Sequence, residues 1–263
     1  MDLELSGRKV LITGASKGIG LACAHGFAAE GADVHIASRT ESTLKTASDA
    51  IRQKHKTKVE IHATDLGITQ NAVALGEACR DVDILVNNAG AIPQGSLTQL
   101  TDEKWRRAWD LKVFGFFTLT REIYKRMCER GSGVIVNVIG VAGERHRSNY
   151  IAGTSGNAAL IAFTRALGSE SVDHGVRVVG VNPGRILTER QIDHMQDRAE
   201  KEYGDRNRWK DILAEVSETL PFKRTGKPSE VADLVLYLAS ARASYISGTV
   251  ITIDAGQSLR TRA

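Results

Sequence analysis

The chain is short of several things that would announce a function. It has only three cysteines, Cys23, Cys79 and Cys128, set far apart and forming no Cys-x-x-Cys pair. That excludes a disulfide framework and fits a reducing, cytoplasmic setting. The seven histidines are dispersed, none at metal-ligand spacing on one helix, so no metal site is expected. No apolar run approaches membrane length, and the start, Met-Asp-Leu-Glu, lacks the basic and apolar regions of a signal segment. Charge of one sign is lacking too. The 35 Lys and Arg against 31 Asp and Glu leave a net +4, scattered along 263 residues. Neither a nucleic-acid footprint nor a membrane surface follows from so mild a balance. There is no internal repeat, low-complexity tract or Pro/Gly linker.

What is present is alternation. Short β-branched runs, Lys9–Thr13, Val34–Ser38, Val59–Ala63, Ile84–Asn87, Val134–Ile139, Val176–Val181 and Val250–Ile253, are separated by helical patterns. The helical stretches are Ile19–Glu30, Glu41–Lys54, Asn71–Arg80, Glu103–Arg130 and Ala158–Val172. Continuous apolar strands are those covered by helices on both faces. The pattern predicts an α/β fold: one doubly wound Rossmann domain over residues 1–263, with a mostly parallel seven-stranded sheet flanked by helices. One stretch, residues 185–220, breaks the rhythm with dense charge and Trp209. Its place after a strand's carboxyl end suits a substrate lid within the domain, or a solvated helical excursion.

The first strand runs into Thr13-Gly14-Ala15-Ser16-Lys17-Gly18-Ile19-Gly20 before a helix. Gly14 allows a tight turn, Gly18 the approach of a pyrophosphate, and Gly20 close helix–strand packing, with helix N-terminal amides facing the phosphates. Gly14-x-Ser16-x-Gly18 also has the outline of a hydrolase nucleophile elbow. That needs several strands upstream, and only one is there.

With this turn, the sequence resembles the short-chain dehydrogenase/reductase family over nearly its whole length. Asp65-Leu66 resembles the family's adenine-contacting pair, and Asn87-Asn88-Ala89-Gly90 its motif beside the adenine ribose. Asn182-Pro183-Gly184 with Thr188 resembles the turn and threonine that hold the nicotinamide carboxamide. Pro221-Phe222-Lys223-Arg224 and Ser247-Gly248 through Asp254-Ala255-Gly256 match the closing helix and last strand. The resemblance implies a dinucleotide cofactor on Gly14, Ser16, Lys17, Gly18, Ile19, Gly20, Ser38, Arg39, Asp65, Leu66, Asn88, Ala89, Gly90, Pro183, Gly184 and Thr188. It also implies a homodimer or homotetramer. At the end of the second strand, where a carboxylate would select NAD, stand Ser38 and Arg39, with Lys17 in the glycine-rich turn. Two cations and no carboxylate favour the 2′-phosphate of NADP, with NAD as the other possibility.

The resemblance stops at catalysis. The family's asparagine, serine, tyrosine and lysine fall here on Lys112, Gly140, Gly153 and Asn157. The spacing from 140 to 153 matches the family's without a gap. Tyr150 is one candidate for a substitute proton donor, about one helical turn earlier, roughly 4.5 Å along the axis and 60° round, with Lys112 as a nearby cation. The competing reading packs Tyr150 at the helix start and turns Lys112 to solvent. His146 and Arg145 are weaker candidates in the same loop. Two functions follow: an NADP-dependent oxidoreductase acting on a carbonyl or alcohol with non-standard catalytic residues, or a cofactor-binding protein without redox turnover.

Overall fold

Alternate residues of each central strand feed two different cores. The computed structural model describes residues 2–260, which form a seven-stranded sheet of order β3-β2-β1-β4-β5-β6-β7. The strands are β1 Lys9–Thr13, β2 Asp33–Ser38, β3 Val59–Ala63, β4 Ile84–Asn87, β5 Gly133–Val138, β6 Val176–Pro183 and β7 Val250–Ile253. Every neighbouring pair is parallel, rather than mostly so.

Nine α-helices cross among the described residues. They are α1 Gly18–Ala29, α2 Glu41–Lys54, α3 Thr69–Ala78, α4 Asp102–Trp109, α5 Gly115–Arg130, α6 Ile151–Glu170, α7 Glu189–Tyr203, α8 Trp209–Glu218 and α9 Pro228–Ala239. On one face Val10, Ile12, Val34, Ile36 and Val136 pack against Phe27 of α1, Leu44 of α2 and Val235 of α9. On the other, Leu11, Ala37, Leu85, Ile135 and Val178 meet Leu75 of α3 and Leu119 and Ile123 of α5. This double coverage explains the uninterrupted apolar runs.

Element bounds move by one or two residues elsewhere, but two helices differ more from expectation. The single helix predicted over Glu103–Arg130 is α4 and α5 joined by a π-helical segment, Asp110–Phe114, which the 3.6-residue pattern does not reveal. The helix predicted over Ala158–Val172 begins seven residues earlier, at Ile151, and ends at Glu170. Small and polar residues such as Gly153 and Gly156 conceal its first two turns.

A buried polar ladder ties the middle of the sheet to its helices. Asn87 Nδ2 donates to Thr120 Oγ1 and Asn137 Oδ1, both at 2.9 Å, and Asn137 Nδ2 donates to Thr164 Oγ1 at 2.9 Å. In residues 185–220, α7 and α8 share a small core of Met195, Ala199 and Ile212 with Trp209 against it. The strand order reverses between β1 and β4, and the carboxyl ends there open into a crevice.

Candidate active site

The crevice is a cleft of about 940 Å³. Its floor is fixed by Thr13, whose Oγ1 accepts the amides of Asn88 at 2.9 Å and Ala89 at 3.0 Å. Asn88 Nδ2 returns hydrogen bonds to the carbonyls of Thr13 and Gly14. A β-carbon on Gly20 would lie 2.5 Å from Gly14 O and 2.6 Å from Asn88 Nδ2, so only glycine fits there. Helix α1 starts without a side-chain cap. Its first amides are left for a ligand, which favours an anion at that end.

Gly14, Ser16, Lys17, Gly18, Ile19, Ser38, Arg39, Leu66, Asn88, Ala89, Gly90, Pro183, Gly184 and Thr188 all line the cleft. Gly20 and Asp65 stand outside its wall. Gly20 is taken up by packing, and Asp65 Oδ1 accepts the Gly67 amide at 3.0 Å within its own turn. Ser38 Oγ is buried with no hydrogen-bond partner. Beside it, Arg39 and Lys17 are exposed, and no hydrogen bond or ion pair engages their side chains among the described residues. A buried hydroxyl without a partner, next to two unpaired cations, fits a phosphate group.

Deeper in, Lys112, Gly140, Tyr150 and Asn157 share the wall. Lys112 enters from the π segment, and its Nζ donates to Ile139 O at 2.9 Å and Val138 O at 3.3 Å. It also lies 5.4 Å from the centre of the Phe116 ring. Burial, then the charge of Arg190, pulls the Lys112 ammonium down to about 8. Gly140 adopts φ 132°, a conformation that favours glycine. Its amide donates to Asn182 Oδ1 at 3.3 Å, and its carbonyl accepts from Asn157 Nδ2 at 3.2 Å. Asn157 Oδ1 and Asn182 Nδ2 remain buried and unpartnered.

Gly153 itself does not line the cleft, because the Tyr150 ring covers it. Tyr150 packs against Ile92, Ala108 and Ala152. Burial raises its pKa, while Arg190 and Arg147 pull the other way. Arg145 is spent on Gln257 O at 3.3 Å, and neither it nor His146 reaches the cleft wall. Sequence reasoning missed Arg190, which donates to the carbonyls of Gly90 and Ile92. No local spacing marks Arg190, whereas Asn182 was named within the Asn182-Pro183-Gly184 motif but given no role there.

The family profile described as enoyl-(acyl carrier protein) reductase matches residues 14–258. Galactitol 2-dehydrogenase (L-tagatose-forming) of Cereibacter sphaeroides is 32% identical over 258 residues, covering 96% of each chain. The chain belongs to the short-chain dehydrogenase/reductase family of oxidoreductases. L-Sorbose reductase from Gluconobacter frateurii, complexed with NADPH and L-sorbose, superposes with a TM-score of 0.93 at 33% identity, covering 99% of this chain and 100% of that one. A variant actinorhodin polyketide ketoreductase with NADPH gives 0.89 at 27% identity, over 97% and 98%.

Proposed function

We propose that the chain is an NADP(H)-dependent oxidoreductase interconverting a ketone and an alcohol on a small polar substrate, with Tyr150 passing the proton. The observation that carries this reading is the Tyr150 ring. It fills the space a side chain on Gly153 would enter, in the same wall as Lys112, Gly140 and Asn157.

The cofactor's nicotinamide supplies or accepts the hydride. The turn Gly14–Gly20 and the first amides of α1 hold the pyrophosphate, and Ser38, Arg39 and Lys17 hold the 2′-phosphate. Leu66, Asn88, Ala89 and Gly90 flank the adenosine, and Pro183, Gly184 and Thr188 orient the carboxamide. Support comes from the unpartnered Ser38 Oγ and from NADPH in the two comparison structures.

In reduction the Tyr150 hydroxyl donates its proton to the substrate oxygen, and in oxidation it takes the proton back. Lys112 has three N–H groups, two of them on backbone carbonyls, so one is left for that oxygen or the phenol. Asn157 lines the cleft, and its unpartnered Oδ1 offers an acceptor to a substrate hydroxyl or a water. Gln94, Asn149, Gln191 and His194 line the cleft as well, the last two from α7, which serves in this reading as the lid. With relatives that act on galactitol and L-sorbose, this lining supports a polyhydroxylated substrate.

The test is NADPH oxidation against a panel of ketoses and diketones, beside a binding titration of the same sample. Tyr150→Phe should lower turnover by about 10²–10⁴-fold while leaving NADPH affinity intact. Full activity in Tyr150→Phe overturns the donor assignment. Binding of NADPH without oxidation across the panel replaces the enzyme with a cofactor-binding protein, a reading favoured by Lys112 already bonding the backbone before Gly140.

A further inference from the structure

Outside the cleft, three side chains far apart in sequence meet on the α3–α5 face of the sheet. In the β2–β3 register His35 pairs with Glu60 and Ala37 with His62, so the two imidazoles sit diagonally on one face of adjacent strands. Cys79, the residue that ends α3, lies over them, completely buried. His35 Nδ1 is 3.1 Å from His62 Nε2, and Cys79 Sγ is 3.6 Å from His62 Nε2 and 3.8 Å from His35 Nδ1. All three ligand atoms lie within 4.8 Å of one another.

We propose that His35, His62 and Cys79 form a Zn(II) site that fastens β2, β3 and the end of α3 together. A tetrahedral zinc with ordinary bond lengths sets its ligands about 3.4 Å apart for N···N and about 3.6 Å for N···S. The three observed separations fall within a few tenths of an ångström of those edges. Two nitrogens and one sulfur also form a borderline-soft donor set, one that suits zinc better than magnesium or calcium. A metal binds neutral imidazoles and a thiolate, so the Cys79 proton leaves on binding.

The fourth position is left to water. Glu60 stands nearby with Oε2 3.6 Å from His35 Nδ1, while its other oxygen is held 2.5 Å from Lys58 Nζ. A direct hydrogen bond between the two rings is the competing arrangement for the same 3.1 Å separation, and it predicts no metal affinity. The other imidazole pair, His25 and His55, 3.4 Å apart, has no third ligand among the described residues and serves as a control.

The full chain, stripped with a chelator and desalted, is titrated with Zn(II) against a chromophoric competitor and separately with Co(II). One tightly held equivalent is expected, with a thiolate-to-cobalt band in the near ultraviolet and intense tetrahedral bands in the visible. Cys79→Ala and His62→Gln should each remove the thiolate band and weaken Zn(II) at least about 100-fold, whereas His25→Gln should change neither. NADPH binding by each variant reports that it is folded and keeps this test separate from the redox reading. If Cys79→Ala fails to fold, the partly exposed His62→Gln decides alone. Absence of the thiolate band in the unaltered chain overturns the site, as does tight binding that survives His62→Gln.

Discussion

Tyr150 and Gly153 compete for one space: a β-carbon on Gly153 would fall 2.0 Å from Cε1 of the tyrosine ring. In a helix interior, replacing glycine by alanine ordinarily gains up to about 1 kcal/mol. Here the sign should reverse.

Gly153→Ala is expected to destabilise the fold by about 1–3 kcal/mol, the usual penalty for overpacking, read as a fall in melting temperature. Tyr150→Ala should cancel that penalty in the double variant, so the pair will be strongly non-additive. Simple additivity would show that the ring is not held over Gly153. A tyrosine introduced at 153 therefore requires Tyr150 to be cut back first. Gly140→Ser carries a further backbone strain at φ 132°.

Arg39→Ala should weaken NADPH binding by about ten- to a hundredfold, since a hydrogen bond to a charged group is worth roughly 1.5–3 kcal/mol. NADH affinity should hardly change. Equal losses for both cofactors, measured by fluorescence titration, would mark Arg39 as structural.

Lys112 predicts a pH-dependent stability. Its folded pKa, about 8, lies below the ordinary 10.5, so between those values the unfolded chain binds more protons and stability rises with pH. Below pH 8 both states are charged and the full burial penalty remains. The rise is at most about 3 kcal/mol, less because the cleft admits solvent to part of the side chain. Lys112→Met should be more stable than the unaltered chain at neutral pH, and the advantage should shrink towards pH 10. An advantage that does not vary with pH would contradict the buried-ammonium assignment.

Phe114 is 51% exposed and meets Phe117 edge-on at 6.2 Å, which in turn packs on Phe163 at 4.6 Å. This aromatic strip on the π segment, α5 and α6 is expected to bury against a second copy of the chain. Light scattering should return a dimer or tetramer, and Phe114→Lys should shift it towards the 28.5 kDa monomer. A monomer from the unaltered chain at micromolar concentration would refute this.

Burial on both faces leaves its mark on the central strands, so β1 and β4 have the bounds read from their apolar runs, while the less buried outer strands β3 and β7 also have the bounds read from the sequence. The phosphate-binding turn was legible for a different reason, since glycine spacing records backbone constraints directly. What stayed hidden depends on distance. Neither His35 nor His62 carries local ligand spacing, and only the β2–β3 register sets them side by side. Tyr150 was found as a candidate, but its place over Gly153 is a matter of rotamer and packing. The unpartnered oxygens and nitrogens of Ser38, Asn157 and Asn182 become visible only when every neighbour is placed.

The π segment Asp110–Phe114 acts on Lys112 like an indexing step on a shaft. Each residue of an α-helix turns the chain by about 100°, so deleting one residue there would restore regular winding and swing everything before it round by that angle. Gly115–Arg130 would keep its grip on the sheet, while Lys112 would leave the carbonyls of Val138 and Ile139. A one-residue change in length could therefore exchange the cation in this cleft for a neighbour's side chain without disturbing the core beneath it.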